Sequence, residues 1–292
     1  MKIINFGSCN IDYVYSLDHI VAPGETETTK ALEIFPGGKG LNQSIAAARA
    51  GAAVFHIGCL GEDGQLLLET LKESNVDTSY IKTVPGKCGH AIIQLASDGE
   101  NSIFLYPGAN HAFTKQYIDE VLEDFSAEDI VILQNEINEI DYIVEKAYSK
   151  QMRIVLNPSP FNEIISKIDL HRITCLILNE VEAKGFTGCE DVEGSLQYFR
   201  KYYPTLKIML TLGGKGCVYL EGEQKIYHPV HKVDVVDTTA AGDTFTGYFV
   251  AGISEGKEIP EILRMASVAA GLSVSRKGAA PSIPYRQEVQ EV

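Results

Sequence analysis

Residues 235–247 read VVDTTAAGDTFTG, with two acids, Asp237 and Asp243, set among small residues. Beyond Asp243 the pattern turns helical: Phe245, Tyr248, Phe249 and Ile253 share one face at 3.6-residue spacing. Asp243 is therefore expected in the first turn of a helix, directly after Gly242. A free helix N-terminus presents unpaired N–H groups and a partial positive charge to an anion. Ala240, Ala241 and Gly242 have no bulk to obstruct it. A transferring phosphoryl group could lie there while charge grows on its oxygens, and Asp243 could take the proton of an attacking hydroxyl. Because phosphoryl transfer has a loose transition state, positioning matters more than basicity in such a group. The plainer alternative makes Asp243 a first-turn acid that complements the helix dipole, worth under about 1 kcal/mol.

Outward from this stretch, short apolar strands alternate with helical patterns. Ile3–Phe6, Val54–Cys59, Ile130–Leu133, Ile154–Leu156, Cys175–Leu178 and Ile208–Leu212 read as strands. Leu41, Ile45 and Ala48 mark a helix ending at Gly51, and Gln65–Leu71 lies in another. This alternation predicts an α/β fold with a mostly parallel sheet covered by helices on both faces. Residues 13–35 and 88–107 break it. The second reads as a hairpin, His90–Leu95 and Ile103–Tyr106, around the turn-forming Asp98-Gly99. The two regions either pair as a small separate sheet, of the kind that covers a site, or extend the main sheet.

A chain of 292 residues can bury a large core. Its net charge of −14 argues against a nucleic-acid binder, which needs basic patches to neutralise phosphates. No apolar run is long enough to span a bilayer, and the first residues read as a strand rather than a signal peptide. Six scattered cysteines without a C-x-x-C pair suit reduced thiols in the cytoplasm and give no zinc site.

Four further motifs could carry chemistry. In Phe35–Ser44, FPGGKGLNQS, glycines 37, 38 and 40 lie between a strand and a helix, where a ligand can approach backbone N–H groups. The spacing is not that of a P-loop, so Lys39 and Asn42 are read as gripping polar groups of a ligand. Gly7–Asp12, GSCNID, follows the first strand. It places Asn10 and Asp12 to accept sugar hydroxyls in the crevice beyond the strand ends, or else to stabilise a turn. In Leu178–Glu182, LNEVE, Asn179 and Glu182 suit a helix cap, and the carboxylate could also hold Mg2+ through water. Thr211–Gly216, TLGGKG, is a glycine turn against which a ligand could lie, or an ordinary hairpin.

Together, and in this order, these segments resemble the PfkB/ribokinase family of sugar kinases. Pro23-Gly-Glu25, Arg276–Ala279 and Pro281-Ser282 extend the match over nearly the whole chain. The resemblance implies one ribokinase-like domain, residues 1–292: a three-layer α/β/α body with a small β-sheet lid formed by about 13–35 and 88–107. It implies ATP-dependent transfer of the γ-phosphoryl group to a primary hydroxyl, that of D-ribose, giving ribose 5-phosphate. Asp243 would be the base, and the amides of Ala240–Asp243 the anion hole. Asn10, Asp12, Gly38, Lys39, Asn42 and Glu136 match sugar-contacting positions. Asn179, Thr211, Gly213, Gly214, Gly216 and Gly242 match the ATP side, and Glu182 the motif tied to Mg2+. Asp237, Thr239, Ser273, Arg276, Gly278 and Ser282 match a K+ site, several through backbone carbonyls. The partners implied are sugar and ATP, with neither nucleic acid nor membrane, and a homodimer could form through the lid.

Gln94, Tyr106 and Ile11 depart from ribokinase-like members and are expected to alter the lid face over the sugar. Another pentose, a hexose or a nucleoside therefore stays open as the acceptor. A non-catalytic sugar or nucleotide sensor would be expected to lack the base or the anion hole. A dinucleotide-dependent dehydrogenase lacks support, since no G-x-G-x-x-G follows the first strand.

Overall fold

The computed structural model describes all 292 residues. Eight strands form the main sheet: β1 (Ile3–Phe6), β4 (Val54–Ile57), β9 (Ile130–Gln134), β10 (Arg153–Asn157), β11 (Cys175–Asn179), β12 (Lys207–Thr211), β13 (Cys217–Glu221) and β14 (Gln224–His228). Their order is β14-β13-β12-β11-β10-β9-β1-β4, parallel from β4 to β12 and antiparallel at the β13–β14 edge. The chain leaves β1 on one side to form β4 and returns on its other side as β9. That reversal opens a crevice at the carboxyl end of β1, the usual ligand position in such sheets.

Strand alternation divides the core. Ile3, Val54, Ile130, Ile132, Val155, Ile177 and Met209 belong to one buried cluster. It is covered by α1 (Lys39–Arg49), α2 (Gln65–Glu73), α7 (Ala241–Ser254) and α8 (Ile259–Val274). Ile4, Phe6, Val131, Leu133, Leu156, Leu176 and Ile208 belong to the other, under α3 (Lys115–Glu123), α4 (Ile140–Ser149), α5 (Glu180–Thr187) and α6 (Val192–Tyr202). A short α9 (Arg286–Gln290) ends the chain's helices. α1 and α7 pack closely because Gly247 faces α1; a Cβ there would lie 2.4 Å from the Ala46 Cβ.

The stretch expected as one strand over Val54–Cys59 divides at Gly58. Cys59–Leu60 (β5) leaves the main sheet to pair with Lys82–Thr83 (β6). A second sheet of four strands, ordered β3-β2-β7-β8, joins β2 (Asn10–Ser16) and β3 (Ala31–Gly37) to β7 (Gly89–Leu95) and β8 (Asn101–Tyr106). It is separate from the main sheet, which decides between the two sequence readings of these regions. Asn10 and Asp12 lie on β2 rather than in a turn.

Candidate active site

Asn5, Gln134, Asn157, Asn179 and Thr211 lie at or near the carboxyl ends of β1, β9, β10, β11 and β12. By strand parity all five share the face covered by α1 and α7. The N-termini of both helices approach this polar row. Lys39, Asn157, Asn179, Glu182, Thr211 and Ala240–Asp243 line one cleft of about 220 Å³.

α7 begins as the sequence predicts. Ala240 precedes it in the left-handed region (φ 60°), an uncommon conformation for a residue with a Cβ. The N–H groups of Gly242 and Asp243 have no acceptor within the protein, whereas that of Ala241, expected in the anion hole, donates to the Thr238 carbonyl at 3.3 Å; a Cβ on Gly242 would meet nothing, so the helix end is open to an anion. The Asp243 carboxylate is buried. Its Oδ2 accepts from Asn42 Nδ2 at 3.0 Å and its Oδ1 from Gln43 Nε2 at 2.9 Å, both side chains projecting from α1.

The glycine turn before α1 packs against Gly7–Asn10. A Cβ on Gly40 would stand 2.3 Å from Ser8 N, so only glycine permits this approach. Glu136, beyond β9, joins the two segments by accepting from Ser8 Oγ and, at 3.0 Å, from Lys39 N. Burial raises its carboxyl, against the opposing charge of Lys39. Burial would lower the Lys39 ammonium, but Asp243, Glu136 and Glu182 together hold it above its usual value. Lys39 also lines the cleft.

Asp12 lies over Gly37, where a Cβ would come within 2.0 Å of its Oδ2. Burial first, then Glu136 and Asp243, push its carboxyl up to about 7. Asn10 requires a correction. Its Oδ1 already accepts from Asn110 Nδ2 at 2.7 Å, so the end left for a ligand is its donor, not an acceptor. Gln94, Tyr106 and Ile11 require another. In register, Asp12 pairs with Ala91 and Ala91 with Leu105, which puts all three departures on the opposite face of the small sheet. Ile11 is buried in the main core, and Gln94 Oε1 accepts from Val21 N at 3.0 Å. The face carrying Asp12 also carries Val14, Ala91, Ile93, Ile103 and Leu105.

Asn179 and Glu182 form a reciprocal cap: Glu182 N donates to Asn179 Oδ1 at 2.9 Å, and Asn179 N to Glu182 Oε2 at 3.0 Å. Glu182 Oε1 is not used by this cap, and Glu182 lines the cleft. Thr211, Gly213, Gly214 and Gly216 border a second, largely apolar groove of about 520 Å³, which shares Thr211, Thr238, Ala241 and Gly242 with the cleft. Its other wall, in a loop at 230–235 and along α8 at 267–274, escaped the sequence reading because its residues, mostly small or apolar, carry no motif. Ser8, Gln43, Asn110 and Asn157 were also missed.

Asp237 is remote from proton transfer in its bonding. Its Oδ1 accepts from Thr239 N and Oγ1 and its Oδ2 from Gly278 N at 2.9 Å. Burial would raise its carboxyl, but these bonds outweigh that and lower it. They tie the turn before α7 to the loop after α8. Ser273 and Ser282 donate their hydroxyls to the Ala270 and Ala279 carbonyls, and the Arg276 guanidinium pairs with Glu288. No cluster of three His, Cys, Asp or Glu side chains is placed to hold a metal. A cation at this turn would therefore draw on backbone carbonyls beside the single Asp237 carboxylate.

An open helix N-terminus holding a bonded carboxylate, between a polar crevice and an apolar groove, is the arrangement of a group-transfer enzyme with two substrates. Residues 1–286 match the family described as pfkB family carbohydrate kinase, and the chain belongs to it. A ribokinase of Bacillus subtilis is 38% identical, the match covering 100% of this chain and 99% of the relative. The structure of Arabidopsis thaliana ribokinase complexed with ribose and ATP is similar with a TM-score of 0.88 at 32% identity, covering 99% of this chain and 97% of that one. That of Cryptococcus neoformans ribokinase in complex with ADP is similar with a TM-score of 0.87 at 33% identity, covering 99% of each.

Proposed function

We propose that this chain is an ATP-dependent ribose kinase, producing ribose 5-phosphate and ADP. The observation that carries the reading is Asp243 beside the free N–H groups of Gly242 and Asp243, at the meeting of the crevice and the groove. Adenine fits the apolar groove, and the triphosphate leads from the Thr211–Gly216 turn towards the start of α7. Ribose fits the crevice between Gly38–Asn42, Asn10, Asp12 and Glu136, beneath the Asp12 face of the small sheet acting as a lid. Val14, Ala91 and Ile93 on that face offer no slot for a nucleobase and suit a small sugar. Full-length similarity to ribokinases, with the sequence departures turned away from this face, favours ribose over another acceptor.

In the reaction, the sugar's primary hydroxyl oxygen attacks the γ-phosphorus as the bond from phosphorus to the β–γ bridging oxygen breaks. The hydroxyl proton passes to Asp243, and ADP leaves with the bridging-oxygen electron pair. The amides of Gly242 and Asp243 receive the charge on the transferring group, and Lys39 supplies a fixed cation between Glu136 and Glu182. Glu182, with Oε1 left over from the cap, would hold Mg2+ through water; the ion would supply charge neutralisation on the phosphates. The turn 237–239 and the loop 273–282 would hold K+ through Asp237 and backbone carbonyls. The reduced cysteines suit a cytoplasmic enzyme. The exposed Leu32, Ile34, Phe104 and Tyr106 on the outer face of the lid suit a homodimer.

A panel of sugars and nucleosides assayed by ADP release tests the reading. Ribose is expected to give the highest kcat/KM, and Asp243→Asn to lose about 10²- to 10⁴-fold in kcat while still binding both substrates. No turnover with any acceptor would favour a sensor; full turnover in Asp243→Asn would remove the base assignment.

A further inference from the structure

Behind Asp243 runs a chain of side-chain amides. Gln43 Nε2 donates to Asp243 Oδ1 and, at 3.1 Å, to Asn157 Oδ1. Gln43 Oε1 accepts from Gln134 Nε2 at 2.8 Å, and Gln134 Nε2 also donates to Asn5 Oδ1 at 2.9 Å. Asn5 Nδ2 donates to the Gly40 carbonyl at 2.8 Å, and Asn157 Nδ2 to the Ile177 carbonyl at 2.9 Å. Asn5, Gln43 and Gln134 have no exposed surface.

The two backbone carbonyls fix the direction of every amide. A carbonyl can only accept, so the nitrogen of Asn5 must face Gly40 and its oxygen must face Gln134. Gln134 must then turn its nitrogen to Asn5 and Gln43, which leaves Gln43 its nitrogen for Asp243. From the other end, Ile177 turns the Asn157 nitrogen inward and its oxygen to Gln43, demanding the same orientation. Asn42, the other donor to Asp243, has no such lock: its side chain bonds to nothing but Asp243, and its Oδ1 is buried without a partner. Core packing alone does not call for this arrangement: apolar side chains would fill the space without these amides and without leaving Gln134 Oε1 buried and unpartnered.

We propose that Gln43 is a positioning residue for phosphoryl transfer, its amide locked by Gln134, Asn5 and Asn157 so that an N–H always faces Asp243 Oδ1. The lock fixes the plane of the carboxylate against the central sheet. It also leaves Oδ2, beside the reversible Asn42 amide, as the oxygen that receives the hydroxyl proton. Asn42 can then turn its Oδ1 to accept from the protonated Oδ2.

This inference rests on Asp243 being the base, and the test separates the two. Gln43→Met keeps the length of the side chain and removes both donors. It is expected to lower kcat by about 10- to 100-fold, the scale of a small misplacement of a reacting group. KM for sugar and for ATP should stay within about twofold. Gln134→Met removes one of the two locks and leaves Gln43 held by Asn157 alone, so it should give the same signature with a smaller loss. Added to Asp243→Asn, Gln43→Met should change residual turnover by less than about twofold, because the group it positions has gone. A general packing defect would instead multiply onto the loss. Wild-type kcat in both methionine variants, a multiplying loss, or failure of both to fold as judged by near-UV circular dichroism would overturn the inference. Full turnover in Asp243→Asn would overturn the base assignment itself.

Discussion

Replacing Asp12 with asparagine should make the protein more stable above neutral pH and poorer at binding sugar. The Asp12 carboxyl has no hydrogen-bond donor in the folded chain and is raised from 3.8 to about 7, first by burial and then by Glu136 and Asp243. For an acid raised in this way the cost to the folded state is fully present above the folded value. It falls away as pH drops through about 7 towards the unfolded value of 3.8. The separation corresponds to about 4 kcal/mol of destabilisation at about pH 8, and about 1–2 kcal/mol remain at about pH 5. Asparagine has its own unpaired amide when no sugar is bound, but that cost does not vary with pH. The discriminating quantity is therefore the variant's stability relative to wild type, which should be about 2–3 kcal/mol more favourable at about pH 8 than at about pH 5. Urea denaturation of both proteins at the two pH values, without sugar, measures it, and the comparison cancels other titrating groups. The same substitution removes the charged acceptor, so KM for sugar should rise about 10- to 100-fold. An identical stability difference at both pH values would refute the account of Asp12 as an uncompensated buried acid awaiting the sugar's hydroxyl donors.

Gly247→Ala should force α1 and α7 apart, since its Cβ would stand 2.4 Å from that of Ala46. A loss of about 1–3 kcal/mol in thermal or urea unfolding is expected, with a fall in kcat as Asn42 and Gln43 draw away from Asp243. Glu182→Ala should lose the half of the cap in which Asn179 N donates to the carboxylate, worth about 0.5–1.5 kcal/mol, and affinity for Mg2+, while Glu182 N still donates to Asn179. Glu182→Gln can still accept from Asn179 N, so it should regain the stability without regaining the Mg2+ affinity. A Mg2+ titration of activity that is identical in wild type and Glu182→Gln would limit this residue to the cap. Activity should be higher in K+ than in Na+, with the difference abolished in Asp237→Asn; equal wild-type rates in the two salts would remove the cation from the 237–239 turn.

Much of this site was legible because its parts are local. The glycines of 37–40, the small residues of 240–242 and the Asn179–Glu182 spacing each describe a turn or helix start that holds wherever the chain goes. The apolar-to-polar change at the ends of the strands is legible too. Apolar β9, β10, β11 and β12 end in Gln134, Asn157, Asn179 and Thr211, and β1 carries Asn5. An amide at the end of a buried strand is costly unless it finds partners, so a row of them marks where the parallel strands jointly face something polar. Two features could not be read without the three-dimensional register. One was the face of the small sheet: Gln94 stands three residues from Ala91, and only the pairing of Ala91 with Asp12 puts it on the face opposite Asp12. The other was the partnership of Gln43 with Asp243, separated by 200 residues and joined only because Gly247 lets α1 and α7 meet. The local motifs therefore named the groups that line the cleft, while the groups that orient them were hidden in long-range packing. Asn10 belongs to both classes: its motif marked it as a candidate, but Asn110, 100 residues away, takes the oxygen of its amide and leaves only the nitrogen free.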